Sequence, residues 1–242
     1  MHDEPFAYVG SELNLFAAAH TWKGYWRNQV RSYLSGAKIL EVGAGMGATT
    51  RALLEGMPPK EHWLGLEPDT NLWRSLQNQH QRGGFPDYCE FRNGTIHALH
   101  ADEVFDAILY IDVLEHIEDD RSEVARAAQH LTANGYFIVL APAYQFLYTV
   151  FDKQIGHYRR YTRSTLRQVP PPGCHVVAAF YLDSVGLLTS LSNRLLLRAS
   201  LPTIEQIRIW DAFLVTVSKK LDPMVRYSFG RSIIMVWQRI VQ

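Results

Sequence analysis

A chain of 242 residues with 47% apolar and 20% charged side chains has the length and apolar content for one sizeable α/β domain. Cys89 and Cys174 stand far apart in no metal-ligand spacing, which argues against a disulfide framework and fits a reducing compartment. The zero formal charge is divided: residues 1–152 hold 11 Lys+Arg and 20 Asp+Glu, and residues 153–242 hold 13 and 4. The halves either attract each other within one fold or leave a basic surface for an anionic partner. The acidic start "MHDEPFAYVG" and the lack of any run of eighteen uncharged apolar residues predict neither a secretory signal nor a spanning helix, hence a cytoplasmic protein.

In chain order, "LNLFAAAHTWKGYWRNQVRSYL" (13–34) has the alanine content and aromatic spacing, at Trp22, Tyr25 and Trp26, of a helix. "AKILEV" predicts a first strand, and "GATTRALLEGM" a helix directly after it. "HWLGLE" predicts a second strand, followed by the helix "NLWRSLQNQHQR" capped by Asp69 or Thr70. "DYCEFRN" and "FDAILYID" read as the third and fourth strands. "SEVARAAQHLTANG" reads as a helix ended by Asn134-Gly135, and "YFIVLAP" as a fifth strand stopped by Pro142. Strand and helix alternate over 37–141, the pattern of a parallel sheet covered on both faces. A polar and aromatic loop (142–163), the turn "PPPG", strand-like "HVVAAFYL", about fifty residues of amphipathic helix within 183–230 and a closing strand "SIIMVWQRI" follow. The expectation is one doubly wound domain, with a helical cover at 1–36, a core at 37–141 and a helical insertion before the final strand in 142–242.

Gly43, Gly45 and Gly47 fall at the carboxyl end of the first strand, where open α/β sheets bind ligands and where missing Cβ atoms let a ligand approach the backbone. Glu67 ends the second strand, placed to accept from two ribose hydroxyls, so an adenosine-containing ligand is expected. The loop reads G-x-G-x-G, not the G-x-G-x-x-G of pyrophosphate binding. Glu41 would repel a pyrophosphate but suits a ligand with positive charge, such as S-adenosylmethionine with its ammonium and sulfonium. No lysine has a tyrosine four residues before it, which weakens a short-chain dehydrogenase and with it the alternative of a nucleotide-dependent oxidoreductase, and no Gly-Lys-Ser/Thr occurs, which excludes a Walker loop.

"LEVGAGMGATT", "GLEPD" and "FDAILYIDVLEHIEDD" resemble the cofactor motifs of the class I S-adenosylmethionine-dependent methyltransferases, over residues 37 to about 141. "PAYQFLYTVFDKQIGHYRRYT" resembles a bacterial subgroup associated with cell-surface glycan or secondary metabolism. The resemblance implies a Rossmann-like, seven-stranded sheet whose last strand runs antiparallel, with S-adenosylmethionine as cofactor and S-adenosylhomocysteine as product. It implies that Glu41, Gly43, Gly45 and Gly47 surround the methionine part and the ribose edge, and that Glu67 takes the ribose hydroxyls. Pro68, Thr95 and Ile96 would border the adenine, with Thr95 standing where family members frequently have Asp. Ile111 and Asp112 would lie beside the methionine group.

Methyl transfer requires an acceptor aligned with the methyl and, where needed, a group to remove its proton. His116 lies four residues after Asp112 and is a candidate base or a cofactor-shell residue. "DKQIGHYRRYT" supplies His157 as a base for a hydroxyl or amine, with Asp152 to orient it or share the catalytic work. Arg159 and Arg160 could clamp a carboxylate or phosphate, and Tyr144, Tyr158 and Tyr161 are acceptor contacts or packing. Trp22, Tyr25 and Trp26 cover the cofactor or belong to the core. In the insertion, Leu187, Leu188, Leu191, Leu195 and Leu196 recur near a helical period, as a lid, a dimer face, a membrane-surface helix or core. The expected acceptor is small or amphipathic, anionic or linked to lipid or glycan, with peripheral membrane contact and a monomer or homodimer as further expectations. No metal is expected, and no nucleic acid, since neither an Asn/Asp-Pro-Pro-Tyr/Phe/Trp motif nor an added RNA-binding module is present. The alternative is a relative that binds the cofactor without catalysis, as a sensor or structural partner.

Overall fold

The computed structural model describes residues 17–196 and 203–240, and of 192–196 the backbone only. Apolar runs give the short strands β1 (Lys38–Val42), β2 (His62–Glu67) and β4 (Phe105–Ile111), and an alternating stretch gives the edge strand β3 (Cys89–Asn93), joined in one sheet by β5 (Leu131–Pro142), β6 (Cys174–Leu182) and β7 (Ser232–Arg239). The strand order is β3-β2-β1-β4-β5-β7-β6. Strands β1 to β5 pair in parallel, whereas β7 runs antiparallel to both β5 and β6 between which it lies. The antiparallel last strand thus begins at the edge where β1, β4 and β5 end. Alternate residues feed two cores: Ile39, Trp63, Leu109, Ile138 and Val236 on one face, and Leu40, Leu64, Ile108, Phe137 and Met235 on the other.

Helices α1 (His20–Val30), α2 (Ala48–Leu54), α3 (Thr70–Gln81), α4 (Asp120–Gln129), α5 (Val150–Gln154), α6 (Arg163–Leu166), α7 (Ser184–Leu196), α8 (Ile204–Ile209) and α9 (Val215–Met224) surround the sheet. A π-helical turn, Trp210–Leu214, joins α8 to α9. Asp69 caps α3, accepting from the Asn71 and Leu72 amides at 2.8 and 2.9 Å. The insertion between β6 and β7 is tied to α1 by two buried acids. Asp211 accepts from the Thr21 and Trp22 amides at 3.0 and 2.7 Å, and Asp222 accepts from the Tyr25 hydroxyl at 2.7 Å. Residues 13–16 of the expected first helix, and the side chains of Leu195 and Leu196, lie outside the described residues.

Two expectations are corrected. The helix read as running to Asn134 ends at Gln129, and Leu131 already pairs with Phe105. Arg239, more than a hundred residues away, donates to the carbonyls of Ala128 and Leu131 at 2.8 and 2.6 Å and so takes up the free end of the helix. Residues 142–163 are not a plain loop. They hold α5, whose capping box is Thr149 and Asp152: the Asp152 carboxylate accepts from the Thr149 amide at 2.8 Å.

Candidate active site

The turn after β1 has a backbone that favours glycine: φ is +76° at Gly43, +57° at Gly45 and +75° at Gly47. A Cβ on Gly43 would stand 2.5 Å from Val113 Cγ2, and one on Gly47 would stand 2.5 Å from Phe85 Cζ. The Gly43 and Ala44 amides donate to the Leu66 carbonyl, each at 2.9 Å. The Gly45 amide donates to Glu67 Oε2 at 2.7 Å, while Glu67 Oε1 accepts from the Asp69 amide at 2.8 Å. Glu67 therefore shapes the turn from the next strand, and each oxygen keeps a lone pair for a ligand hydroxyl. Burial raises its pKa, and the two amide bonds oppose that rise.

A cavity of about 220 Å³ opens over the ends of β1, β4 and β5 and the start of β7. Gly43, Ala44, Gly45 and Met46 line one side, Ile111 and Asp112 another, and Trp22, Lys23 and Trp26 of α1 cover it together with Trp210. The remaining wall includes Glu115, His116, Asp152, His157, Arg160 and Arg231. Asp112 sits at φ +53°, and the protein packed around its carboxylate raises its pKa against the pull of His157, Arg231 and Lys23. Burial lowers the Lys23 ammonium, with Asp211 and Asp112 acting in the other direction.

Asp152 is the hub of the far wall. Its Oδ1 accepts from Arg160 Nε at 2.8 Å and lies 3.1 Å from His157 Nδ1, and its Oδ2 accepts from Arg160 Nη2 at 3.0 Å. Burial would raise this carboxyl, but the bonds from His157 and Arg160 hold it well below the usual range. With Nδ1 held, His157 turns Nε2 toward Glu115 Oε1, 3.9 Å away. The His116 and His157 rings meet edge to face at 4.5 Å. Burial, and then His157, push the His116 imidazole down to about 3, so it is neutral.

The other residues singled out from sequence stand elsewhere. Glu41 is buried beneath the turn, bonded to Thr50 and Trp63, and does not line the cavity. Pro68, Thr95 and Ile96 follow the ends of β2 and β3, beyond the cavity wall, and Thr95 caps the 3-10 turn Ile96–Ala98. Tyr25 faces Asp222, and Tyr161 donates to Asp120 at 2.7 Å. Tyr144 stacks on Tyr181 at 5.0 Å, Tyr158 is half exposed, and Arg159 pairs with Asp120 at 2.8 Å.

Residues 40–137 match the family described as a methyltransferase domain. No curated protein sequence matches the chain. A SAM-dependent methyltransferase from Archaeoglobus fulgidus superposes with a TM-score of 0.61 at 13% identity, over 94% of this chain and 97% of that one. Coclaurine N-methyltransferase, solved with N-methylheliamine and SAH, gives 0.58 at 14% identity over 89% of this chain and 71% of that one. The [4+2]-cyclase SpnF gives 0.62 at 12% identity over 97% and 96%. The fold is that of a SAM-dependent methyltransferase.

The residues present fit S-adenosylmethionine. In this methyltransferase fold the cradle at Gly43 and Gly47 is one that a Cβ would fill, and Glu67 is positioned by the Gly45 amide at its rim. Sequence reasoning missed Lys23, Glu115, Trp210 and Arg231. Only Glu115 left a usable signal, since it directly precedes His116 in "DVLEHIEDD". Arg231 reaches the site because β7 is antiparallel, which local pattern does not reveal.

Proposed function

We propose that the chain is an S-adenosylmethionine-dependent methyltransferase acting on an oxygen or nitrogen of a small or amphipathic acceptor. The observation that carries this reading is one cavity lined by both the glycine turn and the Asp152–His157 pair. The bound cofactor would supply a methyl group on a sulfonium, already primed for displacement. Gly43 to Met46, Ile111 and Asp112 would hold its methionine end, Glu67 the ribose hydroxyls, and Pro68, Thr95 and Ile96 the adenine edge. Trp22, Trp26 and Trp210 exclude water from above. Asp152 fixes His157 with Nε2 toward the cavity, the position from which an acceptor's proton is taken. Arg160 is already engaged by Asp152 and serves chiefly to hold that pair, not to clamp an anion.

An amphipathic acceptor at a membrane surface is supported by the outer face of α8 and α9. Ile209, Phe213, Val217, Leu221 and Met224 are exposed along it, Phe213 by 68% and Met224 by 77%, with Arg208, Lys219 and Lys220 exposed nearby.

Calorimetric titration with S-adenosylhomocysteine tests the reading. One molecule per chain is expected, with at least tenfold weaker binding in Gly43→Ala and Glu67→Ala. His157→Ala should keep that affinity while turnover falls by about 10²-fold or more. No binding would remove the methyltransferase reading; binding without turnover on any hydroxyl or amine acceptor would favour a sensor.

A further inference from the structure

Glu115 is the cavity residue that methyl transfer alone does not explain. Its side chain has 0% exposure, and neither carboxylate oxygen accepts a hydrogen bond from another residue. A buried carboxyl in that condition either keeps its proton or, when ionised, needs a cation to complete it. His157 Nε2, at 3.9 Å, is too far for a hydrogen bond. Yet one ligand-type atom from each of Glu115, His116 and His157 lies within 4.8 Å of the other two. Both imidazoles are held from behind, His157 by Asp152 at 3.1 Å and His116 by the backbone at Gly156 and Ile155. Such outer acceptors fix the tautomer and aim the second ring nitrogen, as they do for histidines that bind metal.

We infer that Glu115, His116 and His157 form a site for one divalent transition-metal ion, which holds an acceptor offering two neighbouring oxygens. Two imidazoles and a carboxylate suit zinc, iron, manganese or cobalt better than magnesium or calcium. In tetrahedral geometry, ligand bonds of about 2.0–2.2 Å place two ligand atoms roughly 3.3–3.6 Å apart, so the longest separation must close by up to about 1.5 Å, a shift within reach of side-chain rotation. The two ligand-bearing segments are already joined, since the Tyr158 amide donates to the Glu115 carbonyl at 2.8 Å. Three protein ligands leave positions open to the cavity. The inference rests on reading that cavity as the acceptor site, and in the ion-bound chain His157 is a ligand, no longer the proton acceptor. There the ion lowers the pKa of a bound hydroxyl, whose proton passes to water. The oxygen's electron pair then forms the O–CH3 bond as the S–CH3 bond breaks, its electrons returning to sulfur.

The test is titration of the untagged, chelator-treated full chain with Co2+ and Zn2+, followed by calorimetry and by the Co2+ absorption spectrum. One ion per chain is expected, with affinity reduced at least 100-fold in Glu115→Gln and in His116→Ala, and 10- to 100-fold in Asp152→Asn. S-adenosylhomocysteine binding by the same samples, without metal, checks that each variant is folded and tests the methyltransferase reading separately. Wild-type protein that binds the nucleoside product but no ion at millimolar Co2+ would overturn the metal site and leave the methyltransferase reading standing. Ion binding unchanged in both ligand variants would overturn it as well. So would a spectrum without imidazole ligation, or a primary amine taking the site that Co2+ does not enter.

Discussion

Glu41 is almost wholly buried, with Thr50 and Trp63 donating to Oε2 at 2.7 and 3.0 Å and no hydrogen-bond partner at Oε1. Burial pushes its carboxyl from 4.5 up to about 7, against those two bonds. The folded chain therefore holds a proton between pH 4.5 and 7 that the unfolded chain has released, so this residue's contribution to stability falls as pH rises through that window. That rise corresponds to roughly 3 kcal/mol lost by pH 8. Urea unfolding from pH 5 to 8 should show this decline in the wild type and not in Glu41→Gln; equal slopes would refute the assignment. At this scale the glycines were legible, because a left-handed backbone leaves its mark in composition. The Asp152–His157 pair was legible because its members lie only five positions apart. Lys23 and Arg231 were not, since nothing near them in sequence says which cavity they enter.

The central strands were the most readable elements, because being buried on both faces makes them apolar runs whatever their neighbours do, while the edge strands β3 and β6 were read from alternation. The end of α4 was misread because its stop is made by Arg239 from the last strand. For α8 and α9 the amphipathic pattern was legible, but not which face would stay uncovered. The exposed stripe from Ile209 to Met224 lies beside Arg208, Lys219 and Lys220, a pairing of apolar and cationic side chains that fits an anionic lipid surface. The wild type should float with vesicles containing phosphatidylserine and remain below with phosphatidylcholine alone. Phe213→Asp with Met224→Asp should abolish flotation while S-adenosylhomocysteine still binds. A dimer in solution that never floats would instead make the stripe a contact between copies.

Across the whole molecule the opposed charges of the two halves do only part of their pairing internally. Among the described residues Arg159–Asp120 and Arg160–Asp152 cross the division, whereas Arg208, Lys219, Lys220 and Arg226 remain exposed. The stronger tie is Asp222, wholly buried, which accepts from Tyr25 and from the Asp183 and Ser184 amides at 2.8 and 3.0 Å. Asp222→Ala strands three buried donors and should cost about 3 kcal/mol or more. At about 2–4 °C per kcal/mol, the midpoint of thermal unfolding should fall by roughly 6–12 °C; a fall below 2 °C would show that the tie is not needed.

The same region has its two ends fastened together. Arg231 donates its amide to the Asp183 carbonyl at 3.0 Å, so the chain leaves the sheet and returns to it one hydrogen bond apart. Whatever is spliced between those points need not disturb strand register, and lengthening it costs little closure entropy. Changes of length in this segment can therefore be absorbed without moving the strands that carry the glycine turn, provided that the Asp211 and Asp222 ties to α1 are kept.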